Sequence, residues 1–368
     1  MNDLPATLPQ TGIGEMAALD QLGAATMARA ADLAAPDAFA HMDPPSAPVA
    51  AQMAYLVAQA NQNMLHAATS PFATLAEARV LEWIAPAFGM AWGQFCSGST
   101  VANLTALWAA REAGARKVVA SAEAHISVPK AARILGMDYH PVPVGDDGRL
   151  IRAALPDLAD AALVMTAGTT GRGVIDELAP VPAKWLHVDA AWAGPLQFTS
   201  YRDRLAGIEA ADSIAISAHK WFFQPKGAAL ALCRSEAARA SITFTSSYLA
   251  RPNSGVEGTR SAAALPLLAT LLAWGREGLA QRIERCMTIT EELAQRLDAD
   301  PRTQLKHWPE TGVLNWRPVA GDAPAVIAAL DGTSSAFTIG DAVWVRQVAA
   351  NPHADVDAIW ARICAALG

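Results

Sequence analysis

Ser213-Ile214-Ala215-Ile216-Ser217-Ala218-His219-Lys220-Trp221-Phe222-Phe223-Gln224 joins a strand-like apolar run to a lysine set among bulky side chains. The run predicts a strand that delivers Lys220 at its carboxyl end, where ligand sites of open α/β sheets collect. An apolar wall lowers an amine's pKa and makes it nucleophilic toward carbonyls. The same surroundings suit a lysine that snorkels from an interior edge, so this segment alone leaves both readings open.

Outward from Lys220, short apolar strands alternate with helices. Strands are predicted at 92–96, 117–121, 138–144, 161–166, 185–189, 212–217 and 228–233. Helices fit at 100–113, 126–136 and 151–158. This alternation predicts an α/β sandwich around a mostly parallel seven-stranded sheet. Ala-rich helices are expected at 15–35, 50–68 and 74–88, the first two separated by the Pro-rich turn 41–48. A long helical stretch over 260–298, broken near Gly275 and Gly278, leads into a small α+β tail. That tail has strands at 312–317, 335–339 and 342–348 and helices at 323–330 and 354–367.

The 368 residues, 52% of them hydrophobic, can bury the core of two domains. Net charge is −7 and no Lys/Arg run stands out, so nucleic-acid binding has no electrostatic footprint. Apolar stretches are interrupted well before ~18 residues, so no membrane helix is expected. The N-terminal residues 1–16 lack the apolar core of a secretion signal. Cys96, Cys233, Cys286 and Cys364 are far apart and form no metal or redox spacing. A cytoplasmic protein with reduced thiols and no metal site is expected.

Three more junctions carry candidate chemistry. Asp189 ends the strand-like Trp185-Leu186-His187-Val188-Asp189 and is followed by small residues; it suits pairing with a buried cation, or a helix N-cap. Cys96-Ser97-Gly98-Ser99-Thr100 is a hydroxyl-rich turn opening a helix, which suits a phosphate cradle or an ordinary cap. It is neither a Walker loop nor a dinucleotide Gly-x-Gly-x-x-Gly. His125 sits at a strand-to-helix junction, as a ring-stacking group or a satisfied polar residue. Together, a phosphate cradle, a stacking imidazole, an acid and a carbonyl-reactive lysine form the toolkit for pyridoxal 5'-phosphate (PLP).

On Ala-His-Lys-Trp (218–221) and His-Val-Asp-Ala-Ala-Trp (187–192), the chain resembles the group II PLP-dependent amino acid decarboxylases. That group includes the aromatic-amino-acid, glutamate and diaminobutyrate enzymes. Supporting matches are Ser70–Glu77, Ala102-Asn103-Leu104, Gly168-Thr169-Thr170 and Asn351-Pro352. The resemblance implies the PLP-dependent transferase-like architecture, aspartate aminotransferase fold type I, with helices on both sheet faces. It further implies a dimer-forming N-terminal helical segment at 1–70, a large PLP-binding domain at 71–285 and a small α+β domain at 286–368.

The resemblance also assigns roles. Lys220 would form the Schiff base, with His219 beside it touching the phosphate. Asp189 would pair with the pyridine nitrogen and His125 would stack on the ring. Ser99 and Thr100 would bind the phosphate, helped by Ser217. Thr169 would lie near the cofactor, and Ala191 would pack under the ring. Tyr248 would act from a mobile loop to protonate the substrate carbon in the neighbouring subunit's site. Gly258 would lend a backbone N–H to the partner's phosphate. These roles imply a homodimer with shared sites that removes the α-carboxylate of an L-amino acid as carbon dioxide.

The cradle departs from the family's Gly-Gly-Ser pattern, but its hydroxyls and N–H groups remain. The 41–48 turn lacks the aromatic residues of the aromatic decarboxylases, and Asp43, Ser46, Phe72, Thr74 and Trp92 are candidate pocket residues. The rival on the same fold is a carbon–carbon lyase, an aldolase or an oxidative deaminase; Tyr248, rather than phenylalanine, favours simple decarboxylation. A non-catalytic PLP-binding subunit would lack Lys220 or Asp189, and both are present.

Overall fold

The computed structural model describes residues 4–368. The chain divides after Leu33 into two compact units. The first holds helix α1 (Glu15–Arg29), none of whose residues is buried. It ends six residues before the expected 35, where Ala30 turns extended.

The second unit opens with α2 (Pro48–Gln59) and α3 (Pro71–Ile84), each with proline in its first turn, where a missing N–H costs nothing. Helix α2 stops well short of 68. Asn61 takes a left-handed φ of 46°, a conformation asparagine tolerates and a helix does not.

Then follow β1 (Trp92–Cys96), α4 (Ser99–Glu112), β2 (Lys117–Ser121), α5 (Ser127–Leu135), β3 (Asp138–Val142), β4 (Ala161–Thr166), β5 (Trp185–Asp189), β6 (Ser213–Ser217) and β7 (Ala229–Cys233). The seven strands form one sheet in the order β1-β7-β6-β5-β4-β2-β3. Strand β7 runs antiparallel to both neighbours, and the remaining pairs are parallel. Strands β4 to β7 are buried at every position, as parallel sheets covered on both faces require. The helix expected at 151–158 is not formed: only a short turn at Arg152–Ala154 is helical. Pro156 disfavours helical geometry in the residue before it.

Among the elements that escaped the sequence reading are α6 (Glu236–Ser241), the tail strand at Thr303–Leu305, and the two-residue strands β8 (Thr243–Phe244) and β9 (Asn253–Ser254), which form a hairpin around Tyr248. Helix α7 (Ala264–Ala299) is long and breaks at Gly275, whose φ of 62° and ψ of −176° are not helical. The tail contains β10 (Thr303–Leu305), β11 (Val313–Pro318), α8 (Ala323–Ala329), β12 (Ser335–Ile339), β13 (Ala342–Val348) and α9 (Val356–Leu367). Its four strands form an antiparallel sheet, β10-β11-β13-β12.

The small sheet docks on the turn that follows β4. Asn315 Nδ2 donates to the Gly171 carbonyl at 3.1 Å, Arg346 Nε to the Thr170 carbonyl at 2.8 Å, and the Thr311 hydroxyl to the Gly173 carbonyl. Gly173 has φ 69°, and a Cβ there would stand 2.6 Å from the Val313 Cβ. Gly173→Ala should therefore combine backbone strain with overpacking and destabilise the fold by about 2–4 kcal/mol, read from denaturant unfolding.

Candidate active site

Because the strands run parallel, the residues after them gather on one sheet edge. Ser99 and Thr100 follow β1, His125 follows β2, Thr169 follows β4, Asp189 ends β5 and Lys220 follows β6. Asp189 lies opposite Thr166 on one side and Ala215 on the other, which brings the acid beside the strand that delivers the lysine.

Asp189 is buried and takes two donors: the Ala191 N–H to Oδ1 at 3.1 Å and Asn103 Nδ2 to Oδ2 at 2.9 Å. Buried carboxylate oxygens need such partners. Lys220 is half-buried at its turn. Desolvation pushes its amine below the ordinary lysine value, helped by the nearby charges of Lys226 and Arg346, while Asp189 and Asp43 pull it back. An amine depressed this way has a larger neutral, nucleophilic fraction. Next to it in the chain, Trp221 packs at a tilt against Trp192, ring centres 4.1 Å apart, and Phe222 and Phe223 are also buried. Phe223 adopts a left-handed φ of 56°, rare for a bulky residue, at the close of the lysine turn.

His125 shares this electrostatic environment. Burial pushes its ring below the ordinary histidine value, Asp189 opposes that, and Lys220 and Lys130 reinforce it. Thr169 is buried, and its hydroxyl accepts from the Val174 N–H at 3.3 Å. The Ala191 carbonyl accepts from the Ser217 N–H at 3.3 Å, tying Ala191 to the end of β6. At the cradle, the first N–H groups of α4 at Ser99 and Thr100 have no intrahelical acceptor by helix geometry. The Ser97 N–H donates to Glu257 Oε2 at 2.8 Å, which sets Gly258 near the cradle of its own chain.

Tyr248 is not brought to this group within one chain. It stands 69% exposed on the β8–β9 hairpin, and among the described residues no hydrogen bond joins it to Lys220 or Asp189.

A family model described as the pyridoxal-dependent decarboxylase conserved domain matches residues 24–317. The chain belongs to this family. It is 35% identical to the L-2,4-diaminobutyrate decarboxylase of Rhizobium meliloti (strain 1021), across 86% of this chain and 72% of that protein. The fold matches the glutamate decarboxylase domain of a diaminobutyrate-pyruvate transaminase and L-2,4-diaminobutyrate decarboxylase from Vibrio parahaemolyticus. That match has a TM-score of 0.85 and 22% identity, over 98% of this chain and 87% of the other. The fold also matches the Oryza sativa TDC with PLP and tryptamine, with a TM-score of 0.88 and 20% identity, over 98% and 89% of the two chains. The enzyme is a carboxy-lyase that performs PLP-dependent α-decarboxylation of an amino acid.

The decarboxylase's own atoms suit that cofactor. Ser217 Oγ and His219 Nδ1 are buried and, among the described residues, have no hydrogen-bond partner. Buried polar atoms without partners are costly unless a ligand satisfies them. Both lie within three residues before Lys220 in the chain, so a phosphate-bearing aldehyde held at that lysine suits them.

Three residues of this neighbourhood were not assigned a role from the sequence. Asn103 holds Asp189, and His187 holds Asn103, with 3.0 Å between His187 Nε2 and Asn103 Oδ1. Arg346 is 7% exposed on β13. Burial pushes its guanidinium down to about 10, against the pull of Asp43. Its signal in the sequence is a cation inside the apolar run Val343-Trp344-Val345-Arg346-Gln347-Val348. Among the described residues no membrane-length apolar helix and no metal-binding cluster occurs.

His187 makes stability depend on pH. Burial depresses its ring from 6.5 to about 4. The unfolded chain therefore binds a proton that the folded chain refuses between these values. The stabilisation is complete above 6.5 and is lost as pH falls through 4, a change of roughly 3 kcal/mol. Urea midpoints should fall over this window, with a shallower slope for His187→Gln.

Proposed function

We propose that this decarboxylase acts on an L-amino acid with a short charged side chain, L-2,4-diaminobutyrate foremost, as a cytoplasmic homodimer with shared sites. The carrying observation is the charge set around Lys220. The Pro-rich turn brings Asp43 to Lys226 in an ion pair and within electrostatic reach of Lys220 and Arg346. Burial pushes the Asp43 carboxyl up, but Lys226, His41 and His219 outweigh it and keep it below the ordinary range. An acid within electrostatic reach of Lys220 suits a substrate ammonium group, and the similarity to a diaminobutyrate decarboxylase supports the same choice.

The grouping of these residues at one sheet edge supports the following roles. Lys220 would hold the cofactor covalently, and Ser99, Thr100, Ser217 and His219 would bind its phosphate. Asp189 would keep the pyridine nitrogen protonated, His125 would cover the ring, and Thr169 and Ala191 would line it. Bound PLP supplies an electron sink for the pair left at Cα when the carboxylate departs as carbon dioxide. Arg346 would receive the departing carboxylate, because its bonds go to the carbonyls of Thr170 and Ala40 and the Ser335 hydroxyl and leave its charge without a bonded acid. Tyr248 would deliver the proton that Cα takes up.

A partner subunit explains two features. Tyr248 is exposed in its own chain, and α2 and α3 present Tyr55, Leu56, Phe72 and Leu75 to solvent. Such a face is what a dimer covers. Gly258, on the segment tied to the cradle through Glu257, would lend its backbone N–H to a bound phosphate. The division at 1–70, 71–285 and 286–368 goes with this reading, the first part forming the dimer. The cytoplasmic placement is supported by four free cysteines.

The decisive assay is carbon dioxide release across a panel of L-amino acids, beside the visible spectrum. Wild type should release carbon dioxide and the matching amine from L-2,4-diaminobutyrate, and Lys220→Ala should abolish both turnover and the Schiff-base band near ~420 nm. Carbon dioxide from L-aspartate alone would move the substrate to the acidic class. Full turnover by Lys220→Ala would sink the scheme.

The dimer is tested separately. Light scattering should give twice the 38.6 kDa chain mass. Mixing Lys220→Ala with Tyr248→Phe chains should restore amine formation that neither shows alone. Failure to complement would place Tyr248 in its own chain's site.

A further inference from the structure

The hydrogen bonds at Asp189 continue into a buried chain that the scheme above does not use. Asn103, fully buried on α4, donates from Nδ2 to Asp189 Oδ2 and to Ser127 Oγ, both at 2.9 Å. Its Oδ1 lies 3.0 Å from His187 Nε2. His187 Nδ1 lies 2.8 Å from Ser213 Oγ, which accepts from Trp185 Nε1 at 2.8 Å. On the other branch, Ser127 Oγ is 2.8 Å from His125 Nδ1, and the Ser127 N–H donates to the same nitrogen at 3.2 Å.

Each proton in this chain has one place. An ionised carboxylate only accepts, and an indole N–H only donates. Asp189 therefore turns the Asn103 NH₂ toward itself and the amide oxygen toward His187. His187 must then carry a proton on Nε2. Trp185 occupies Ser213 Oγ as donor, so the serine hydrogen goes to the bare His187 Nδ1. The Ser213 carbonyl is also 3.1 Å from that nitrogen. It would gain a hydrogen bond only if the ring took a second proton, and complete burial opposes that charge. Ser127 Oγ likewise accepts from Asn103 and gives its hydrogen to His125 Nδ1, which leaves the His125 proton on Nε2.

We propose that Asn103 is a positioning residue whose single amide joins Asp189 to His125, holding the acid ionised and the histidine neutral with its proton on Nε2. His187, Ser213 and Trp185 fix the direction of that amide from behind. The charges that face His125 are Asp189, which favours its protonated form, and Lys220 and Lys130, which oppose it. The inference rests on the reading that Asp189 and His125 face the cofactor.

The first test needs no variant. Nitrogen-15 NMR of histidine-labelled holoenzyme should show His125 and His187 neutral with Nε2–H at pH 7. A proton on Nδ1 of either ring at that pH would overturn the proposal. Asn103→Leu, nearly isosteric, should weaken PLP binding to the apoenzyme by about ten- to a hundredfold, the loss expected for a hydrogen bond to a charged acceptor. It should also raise the His125 titration toward 6.5. Ser127→Ala cuts only the histidine branch; it should raise the His125 titration and leave PLP affinity within about twofold, because the Asp189 bond remains. The double variant should move His125 no further than either single one. Additive shifts, or wild-type affinity and titration in Asn103→Leu, would refute the relay. If Asn103→Leu does not fold, the wild-type tautomers and Ser127→Ala decide. Normal PLP binding by Asp189→Asn, with the wild-type tautomers as stated, would instead remove Asp189 from the cofactor and support the relay.

Discussion

A buried carboxylate beside a desolvated amine is the constraint on which the site depends. Neither group is stable there alone: burial favours the neutral form of each. Asp189 has its two carboxylate oxygens satisfied, one by the Ala191 N–H and the other by Asn103 Nδ2. Lys220 shifts toward its neutral form, because burial outweighs the attraction of Asp189 and Asp43. The adjacency of β5 and β6 creates this opposition, and it yields a held acid at the end of one strand and a nucleophilic amine just past the end of the next.

The small sheet completes the site through packing. Trp192 donates to the Thr311 carbonyl at 2.5 Å and Trp221 to the Ala349 carbonyl at 3.3 Å, so the two tilted, packed indoles next to the lysine turn are clamped from the tail. Arg346 reaches the turn after β4 from the same sheet. Stability and chemistry are thus coupled: the contacts that hold the tail in place also wall off Lys220 and import a cation. Gly173, squeezed against Val313, is where that coupling is most sensitive to one added carbon.

Much of this was legible locally. The strands at 117–121, 161–166 and 185–189 lie where the apolar runs predict, because a buried parallel strand is a short continuous apolar segment. The break at Gly275 was likewise visible in a residue type. What failed was also local in cause. The helix at 151–158 was undone by Pro156, and the span to 68 by Asn61, whose left-handed turn the surrounding alanines hid. The hairpin around Tyr248 escaped because two-residue strands carry no periodicity.

The sequence by itself determined the layered α/β architecture and the chain order of cradle, imidazole, acid and lysine, since strand ends and the residues that follow them are written in short windows. Only the tertiary structure decided which groups meet. It made β7 antiparallel, laid α4 so that Asn103 reaches both Asp189 and His187, and carried Arg346 from a distant strand to the turn at Thr170. The physical reason is that hydrogen bonding and desolvation depend on neighbours in space. An asparagine inside an Ala-rich helix becomes the link between an acid and a histidine only when three separate elements close around it.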